Sequence, residues 1–147
     1  MRVLGLDVGS KTIGLAVSDP LGWTAQGLTT LRRSGWEQDL AAVCQYIRDY
    51  EVTQVLIGLP LNMNGSRGPS AQAAELFGFK LQQAAKNAGL NIGVIMRDER
   101  LSTVAAQRVL LEGDVSRRGR KQVIDKIAAV LILQGYLDYL RQQNNGR

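Results

Sequence analysis

The spacing of apolar residues changes along the chain, and this change restricts the folds that the sequence can adopt. Residues 2–8 and 13–18 alternate between apolar side chains and small or polar ones, and a tight turn connects the two runs. Alternation of this kind predicts a β-hairpin. Residues 24–31 follow with a poorer alternation and are predicted to add a third strand. The first part of the chain therefore predicts an antiparallel meander.

The rest of the chain alternates short apolar runs with longer segments at helical spacing. Strands are predicted over residues 54–59 and 92–96, helices over 36–50, 70–88, 102–111 and 123–140, and loops over 62–69 and 112–119. The order β-β-β-α-β-α-β-α-α indicates parallel β-α-β units that extend the meander. We therefore expect an α/β fold with a mixed five-stranded sheet flanked by helices.

The chain of 147 residues is long enough to bury a core without disulfides, and we expect one domain over residues 1–140. Residues 141–147 are polar and are predicted to form a frayed tail. The single cysteine, Cys44, lies at helical spacing among apolar residues, which favours a buried thiol over a nucleophile. Because no apolar stretch is long enough to cross a bilayer and no targeting signal is evident, we expect a cytosolic protein.

The sequence contains no histidine. This excludes Ser-His-Asp and Cys-His catalysis, histidine-ligated zinc and imidazole acid–base chemistry. Any catalysis must therefore depend on carboxylates, Lys, Arg, hydroxyls or a bound metal. The net charge of +5 modestly favours an anionic partner.

Three well-separated carboxylates are the candidates for chemistry. Asp7 lies in an apolar strand, where carboxylates are disfavoured, although it could instead cap the turn that follows. Asp98 and Glu99 follow a predicted parallel strand at its carboxyl end, where ligand sites of open α/β sheets gather. Only one of these two is expected to turn inward. Glu99 has the longer reach towards Asp7, but both acids could simply pair with neighbouring arginines.

Asp125 lies near the start of the last predicted helix and shares a face with Ala128 and Ala129. Small residues beside the acid would let this helix pack closely on the sheet, although a first-turn Asp is also favoured by the helix dipole alone. Carboxylates on three different elements suit a hard cation. Mg²⁺ or Mn²⁺ takes oxygen ligands, and two such ions can clamp an in-line phosphoryl displacement. Asp7, Glu99 and Asp125 are therefore predicted as metal ligands and catalytic residues.

Basic residues close to these acids in the sequence are candidates for phosphate contacts. They are Lys11, Arg67, Arg100, Arg117, Arg118, Arg120 and Lys121. Contacts of this kind give affinity without base specificity. A run of charges is equally well explained as a solvated face, and proximity to the predicted metal site is what favours binding.

Four blocks of the sequence resemble the YqgF/RuvX family, and they occur in the order found in that family. They are LGLDVGSKTIGLAVSD at 4–19, IGLPLNMNGS at 57–66, DERLST at 98–103 and DKIAAVLILQGYL at 125–137. The resemblance implies a ribonuclease H-like fold, with the carboxylate trio at Asp7, Glu99 and Asp125. It also implies the bacterial cytoplasm and a nuclease that matures the 5′ end of pre-16S ribosomal RNA. Asn64 and Arg67 depart from the acids common in the family's loop.

Several alternatives remain open from the sequence. The same family has been described as Holliday junction resolvases, so branched DNA is the nearest rival substrate. The segment DVGSKT also resembles the phosphate-binding hairpin of actin-like sugar kinases, which need two such domains. A non-catalytic nucleic-acid-binding module would use the basic residues alone. RNA and DNA are not distinguished, because phosphate contacts do not involve the 2′-hydroxyl. Both a monomer and a homodimer are compatible with the sequence.

Overall fold

The computed structural model describes residues 2–101 and 117–145, and the side chains of residues 2–101 and 126–144. Within these ranges, five strands and three helices follow one another in the order of the prediction. They are β1 (Arg2–Val8), β2 (Thr12–Ser18), β3 (Ala25–Arg32), α1 (Trp36–Asp49), β4 (Val52–Leu59), α2 (Pro69–Asn87), β5 (Gly93–Asp98) and α3 (Arg117–Asn145), with a 3₁₀ turn at Glu99–Leu101.

The strands form one five-stranded sheet in the order β3-β2-β1-β4-β5. β1, β2 and β3 pair in antiparallel fashion, whereas β4 pairs in parallel with β1 and with β5. Leu6 lies at the centre, beside Leu15 of β2 and Ile57 of β4. The mixed sheet of a meander and parallel β-α-β units is therefore confirmed.

The two faces of the sheet carry separate apolar cores. α1 and α2 cover one face, where Phe77 packs with Leu4 and Leu6. α3 covers the other face, where Leu133 packs with Val3. Successive strand residues point to opposite faces, so the alternation in β1 divides it between the two cores. The predicted buried thiol is confirmed, since Cys44 is buried in the first core.

α3 is longer than the sequence predicted at both ends. Residues 117–119, predicted as part of a loop, are helical, because Arg and Lys favour helices and a single Gly is tolerated. Residues 141–145, predicted as a frayed tail, continue the helix. Arg141 pairs with Asp138 and lies over the ring of Trp23, so this end of the helix packs on the turn between β2 and β3. The predicted helix 102–111 and the loop residues 112–116 lie outside the described residues.

Within the described ranges, no helix is both long enough and apolar enough to cross a membrane.

Candidate active site

Asp7 lies near the carboxyl end of β1, in the middle of the sheet. It pairs with Gly14 of β2, and its relative exposure is only 6%. It shares a face of the strand with Val3 and Gly5, which are the residues that α3 covers. A carboxylate is thus held at the border of the second core, where it faces a cavity rather than bulk solvent.

Glu99 reaches the same cavity from the far side of β4. The pairing of β4 with β5 ends at Leu59 and Asp98, and the chain then turns. The side chain of Glu99 folds back over Gly58, where its Oε1 lies 2.7 Å from the position that a methyl group on Gly58 would occupy. Because Leu6 pairs with Ile57, Gly58 lies one residue further on, beside Asp7. The two acids therefore approach the same point of the sheet from opposite sides of β4, Asp7 from β1 and Glu99 from the turn after β5.

Asp98 points elsewhere. Its carboxylate accepts hydrogen bonds from Arg100, at 3.0 Å from Nε and 2.8 Å from the terminal nitrogen. These hydrogen bonds hold the pKa of Asp98 below its ordinary value. Arg100 also donates to the carbonyl of Met63 at 3.3 Å, which joins this turn to the 62–66 loop. Of the two neighbouring acids, only Glu99 lines the cavity with Asp7.

The backbone of Asp125 lies on α3, and its side chain is outside the described part of the structure. Gly5 fixes the height of the helix above β1, since a methyl group there would lie 2.9 Å from the Cβ of Leu133 and 3.3 Å from the carbonyl of Ala129. Leu137, later in the helix, lies beside Val3, earlier in the strand. Helix and strand therefore run in opposite directions. Position 125 precedes Ala129 by about one helical turn, so it lies further along α3 towards the end of β1 that carries Asp7.

The cavity that contains both acids has a volume of about 380 Å³ and is lined by the ends of several elements. Its polar lining consists of Asp7, Glu99, Arg33, Ser10 and Ser70. Ser10 belongs to the β1–β2 turn, and Ser70 to the first turn of α2. β1 and the turn after β5 thus supply the two acids. The connections after β1 and β3 supply the hydroxyl of Ser10 and the cation of Arg33, and α2 supplies the hydroxyl of Ser70.

Arg33 lines this cavity, and it was not predicted from the sequence. Its Nε donates to Asp39 Oδ2 and its terminal nitrogen to the carbonyl of Gly9, each at 3.1 Å. The rings of Trp36 and Phe77 lie 5.0 and 5.5 Å from the guanidinium. Arg33 therefore ties the turn after Asp7 to α1. The bond to Gly9 spans 24 residues, and no local pattern could have indicated it.

The predicted phosphate-contact residues occupy different surroundings. Lys11 is exposed in the β1–β2 turn, while Arg67 pairs with Glu75 at 3.3 Å and Arg100 with Asp98. The remaining four lie in the first turns of α3, with side chains outside the described part: Arg117, Arg118, Arg120 and Lys121. Lys11, on the turn after Asp7, is therefore exposed close to the cavity.

The carboxylates that the structure describes in this cavity suit a hard divalent cation. Carboxylate oxygens are the ligands that Mg²⁺ and Mn²⁺ favour, and two carboxylates share the cavity. Among the side chains that the structure describes, no group of three potential ligands occurs. The third predicted ligand, Asp125, belongs to the undescribed side chains.

The sequence is similar to those of a known protein family and of its members. The sequence matches the profile of the RuvX family, described as Holliday junction resolvase, over residues 1–139. A protein of Moorella thermoacetica named "Putative pre-16S rRNA nuclease" is 59% identical over 142 residues, which cover 97% of this chain and 98% of that protein. A protein of Clostridium beijerinckii with the same name is 52% identical over 143 residues, covering 97% and 100%.

Solved structures of resolvases are similar in fold. RuvC of T. thermophilus in complex with a Holliday junction substrate has a TM-score of 0.64 at 16% identity, covering 97% of this chain and 96% of that one. The fowlpox virus resolvase in complex with Holliday junction DNA has a TM-score of 0.51 at 12% identity, covering 95% and 99%. The chain therefore has the ribonuclease H-like fold of these proteins.

Proposed function

Because the chain belongs to the RuvX family of Holliday junction resolvases, we propose that it is a metal-dependent endonuclease that hydrolyses nucleic-acid phosphodiester bonds. The observation that carries this proposal is the meeting of Asp7 and Glu99 in one cavity at the carboxyl ends of the central strands. Binding sites of open α/β sheets lie at these ends.

Asp7 and Glu99, with Asp125 as the third carboxylate, are the residues that we propose to hold divalent metal. When bound, Mg²⁺ or Mn²⁺, as one ion or a pair, would polarise the phosphate and lower the pKa of water. Burial of Asp7 keeps the carboxylate fixed on β1. Arg33 holds the turn next to it through the carbonyl of Gly9. Lys11 and the basic first turns of α3 would contact the nucleic-acid backbone.

The substrate that we favour is precursor 16S ribosomal RNA, at its 5′ end. The support is the name carried by relatives that are more than half identical over nearly the whole chain. Those relatives are bacterial, so we place the activity in the bacterial cytoplasm. An RNA-trimming enzyme can act as a monomer.

Branched DNA is the alternative substrate, because the family description and the structural neighbours in complex with junction DNA both point to it. Symmetric cleavage of a four-way junction would need a two-fold homodimer. The family match favours a nuclease over the sugar-kinase alternative. A non-catalytic binding module would not need the two acids to share a cavity.

The test incubates the wild type and Glu99→Gln with a precursor 16S RNA fragment and with a four-way DNA junction. Each reaction is run with Mn²⁺ and with EDTA. The proposal predicts Mn²⁺-dependent cleavage of the RNA that EDTA and Glu99→Gln both abolish. Cleavage of the junction alone would replace RNA by branched DNA as the substrate. Cleavage of neither, or equal cleavage by Glu99→Gln, would refute the nuclease proposal.

A further inference from the structure

We propose that Gly58 is a positioning residue, whose missing side chain leaves the space over β4 in which the carboxylate of Glu99 lies. The inference rests on the proposed function only in assigning metal binding to that carboxylate. Its structural part concerns where Glu99 is held, and it can be tested without any nuclease activity.

The backbone of Gly58 gives no reason for glycine at this position. Among the described glycines, a positive φ, which disfavours other residues, occurs at Gly22, Gly35, Gly65 and Gly89. Gly58 instead lies inside β4, paired with Arg97 of β5. Glycine is unfavourable in the interior of a strand, and it often marks a place where another group approaches closely. The reason for Gly58 must therefore lie in what a side chain would meet.

A methyl group on Gly58 would meet two side chains. It would lie 2.7 Å from Oε1 and 3.2 Å from Cγ of Glu99, and 2.6 Å from Cδ1 of Ile132 on α3. All of these atoms belong to side chains that can rotate, so neither contact requires the backbone to move. The expected result of adding the methyl group is a folded protein in which Glu99 is displaced from its place beside Asp7.

A contrast with Gly5 separates this effect from ordinary packing. At Gly5 a methyl group would meet the Cβ of Leu133 and a backbone carbonyl, which cannot rotate away. Gly5 therefore sets the distance between helix and sheet, whereas Gly58 sets the position of one carboxylate. Gly93, in β5, provides a matched control, since a methyl group there would have no described atom within 4 Å.

The first measurement uses metal-free protein. The side-chain carboxyl ¹³C resonance of Glu99 is identified by its absence in Glu99→Gln, and it is then followed in Gly58→Ala and Gly93→Ala. We expect Gly58→Ala to shift this resonance, with thermal unfolding close to that of the wild type, and Gly93→Ala to leave it in place. An unmoved resonance in Gly58→Ala would overturn the inference.

The second measurement is the affinity for Mn²⁺, followed by the electron paramagnetic resonance of the free ion. We expect Gly58→Ala to weaken binding by about 10- to 100-fold, as is usual when the support of a metal ligand is removed. In the Glu99→Gln protein, Gly58→Ala should change the Mn²⁺ affinity little, because the carboxylate that it displaces is already absent. Equal losses in both backgrounds would contradict the inference.

A third variant separates the two contacts. Gly58→Ala/Ile132→Val removes the Cδ1 atom of Ile132 and leaves Glu99 intact, so the loss of Mn²⁺ affinity should persist. Recovery in this variant would assign the effect to the packing of α3 and overturn the inference. If the wild type neither binds Mn²⁺ nor cleaves nucleic acid while Gly58→Ala still shifts the Glu99 resonance, the positioning role stands and the proposed function fails.

Discussion

At the scale of single residues, Asp98 and Glu99 are neighbours in the sequence that have different surroundings in the fold. Asp98 is the last residue of β5 and is held by Arg100. Glu99 begins the following turn and lies over Gly58. The sequence indicated that only one of them would turn inward, but the choice depends on Gly58, which is 41 positions away from Glu99 in the chain.

This difference predicts unequal effects of two nearly isosteric substitutions. Glu99→Gln is expected to lower the rate of metal-dependent cleavage by at least about 100-fold, because it removes a ligand charge. Asp98→Asn weakens only a partly exposed ion pair, so it is expected to change the rate by no more than about fivefold. Single-turnover rates on the same substrate provide the comparison. Equal losses in the two variants would mean that the assignment of Glu99 is wrong.

At the scale of elements, the packing of α3 on the sheet brings the last helix to the site. Alanines at 128 and 129 in the sequence predicted close packing, and both are buried against the sheet. The complementary residue on the strand, Gly5, could not be recognised, because its partner Leu133 is remote in sequence and glycines also occur in turns. Arg33 was also missed, because its partner Gly9 is remote in sequence and their contact depends on the hairpin being formed.

Gly5→Ala is predicted to destabilise the protein by about 1–3 kcal/mol, the usual cost of overpacking a core. The methyl group would press on the Cβ of Leu133 and on a backbone carbonyl, so the helix itself must shift. The free energy of unfolding in urea measures this effect. Gly135→Ala on α3 is the control, because its methyl group would have no described atom within 4 Å and should raise helix stability slightly. Equal stability of the two variants would contradict the close contact.

The β2–β3 turn predicts a dependence on pH. The backbone N–H groups of Thr24 and Trp23 donate to Asp19 and hold its pKa below the ordinary value of 3.8. A lowered pKa in the folded state means that the charged form adds stability above pH 3.8, which is lost as the pH falls through the folded-state pKa.

Asp19→Asn retains the acceptor oxygen and removes only the charge. Its free energy of unfolding should lie below that of the wild type at neutral pH, and this gap should narrow as the pH falls below 3.8. Urea titrations of both proteins across this range measure the gap. A gap that does not change with pH would show that the carboxylate charge adds nothing to the turn.

At the scale of the whole molecule, local periodicity was sufficient for the order of the elements along the chain and for the mixed sheet. Alternation in β1 and β2 and the apolar run of β4 determine which faces are buried, and connection lengths then restrict the pairing. The ends of α3 were not predictable in this way. Residues 117–119 and 141–145 are polar, and a polar segment has the same composition in a loop as in an exposed helix.

The charge distribution of the molecule predicts how binding responds to salt. Arg118 lies in the first turns of α3, towards the proposed site. Arg118→Gln should weaken nucleic-acid binding and reduce the slope of log K against log salt concentration by about 0.7–0.9, the loss of one phosphate contact. Lys86→Gln is the matched control, since Lys86 is exposed near the opposite end of α2 from the cavity and should leave the slope unchanged. An unchanged slope in Arg118→Gln would refute the phosphate contact.

Asp7, the buried carboxylate near the end of the central strand, is the residue on which the proposed active site depends most. The most direct measurement is Mn²⁺-dependent cleavage by Asp7→Asn beside Asp49→Asn, which makes the same change at an exposed position near the end of α1. We expect Asp7→Asn to remain folded and to lose cleavage and Mn²⁺ binding together, and Asp49→Asn to match the wild type. Cleavage by Asp7→Asn at the wild-type rate would contradict the assignment of this cavity as the active site.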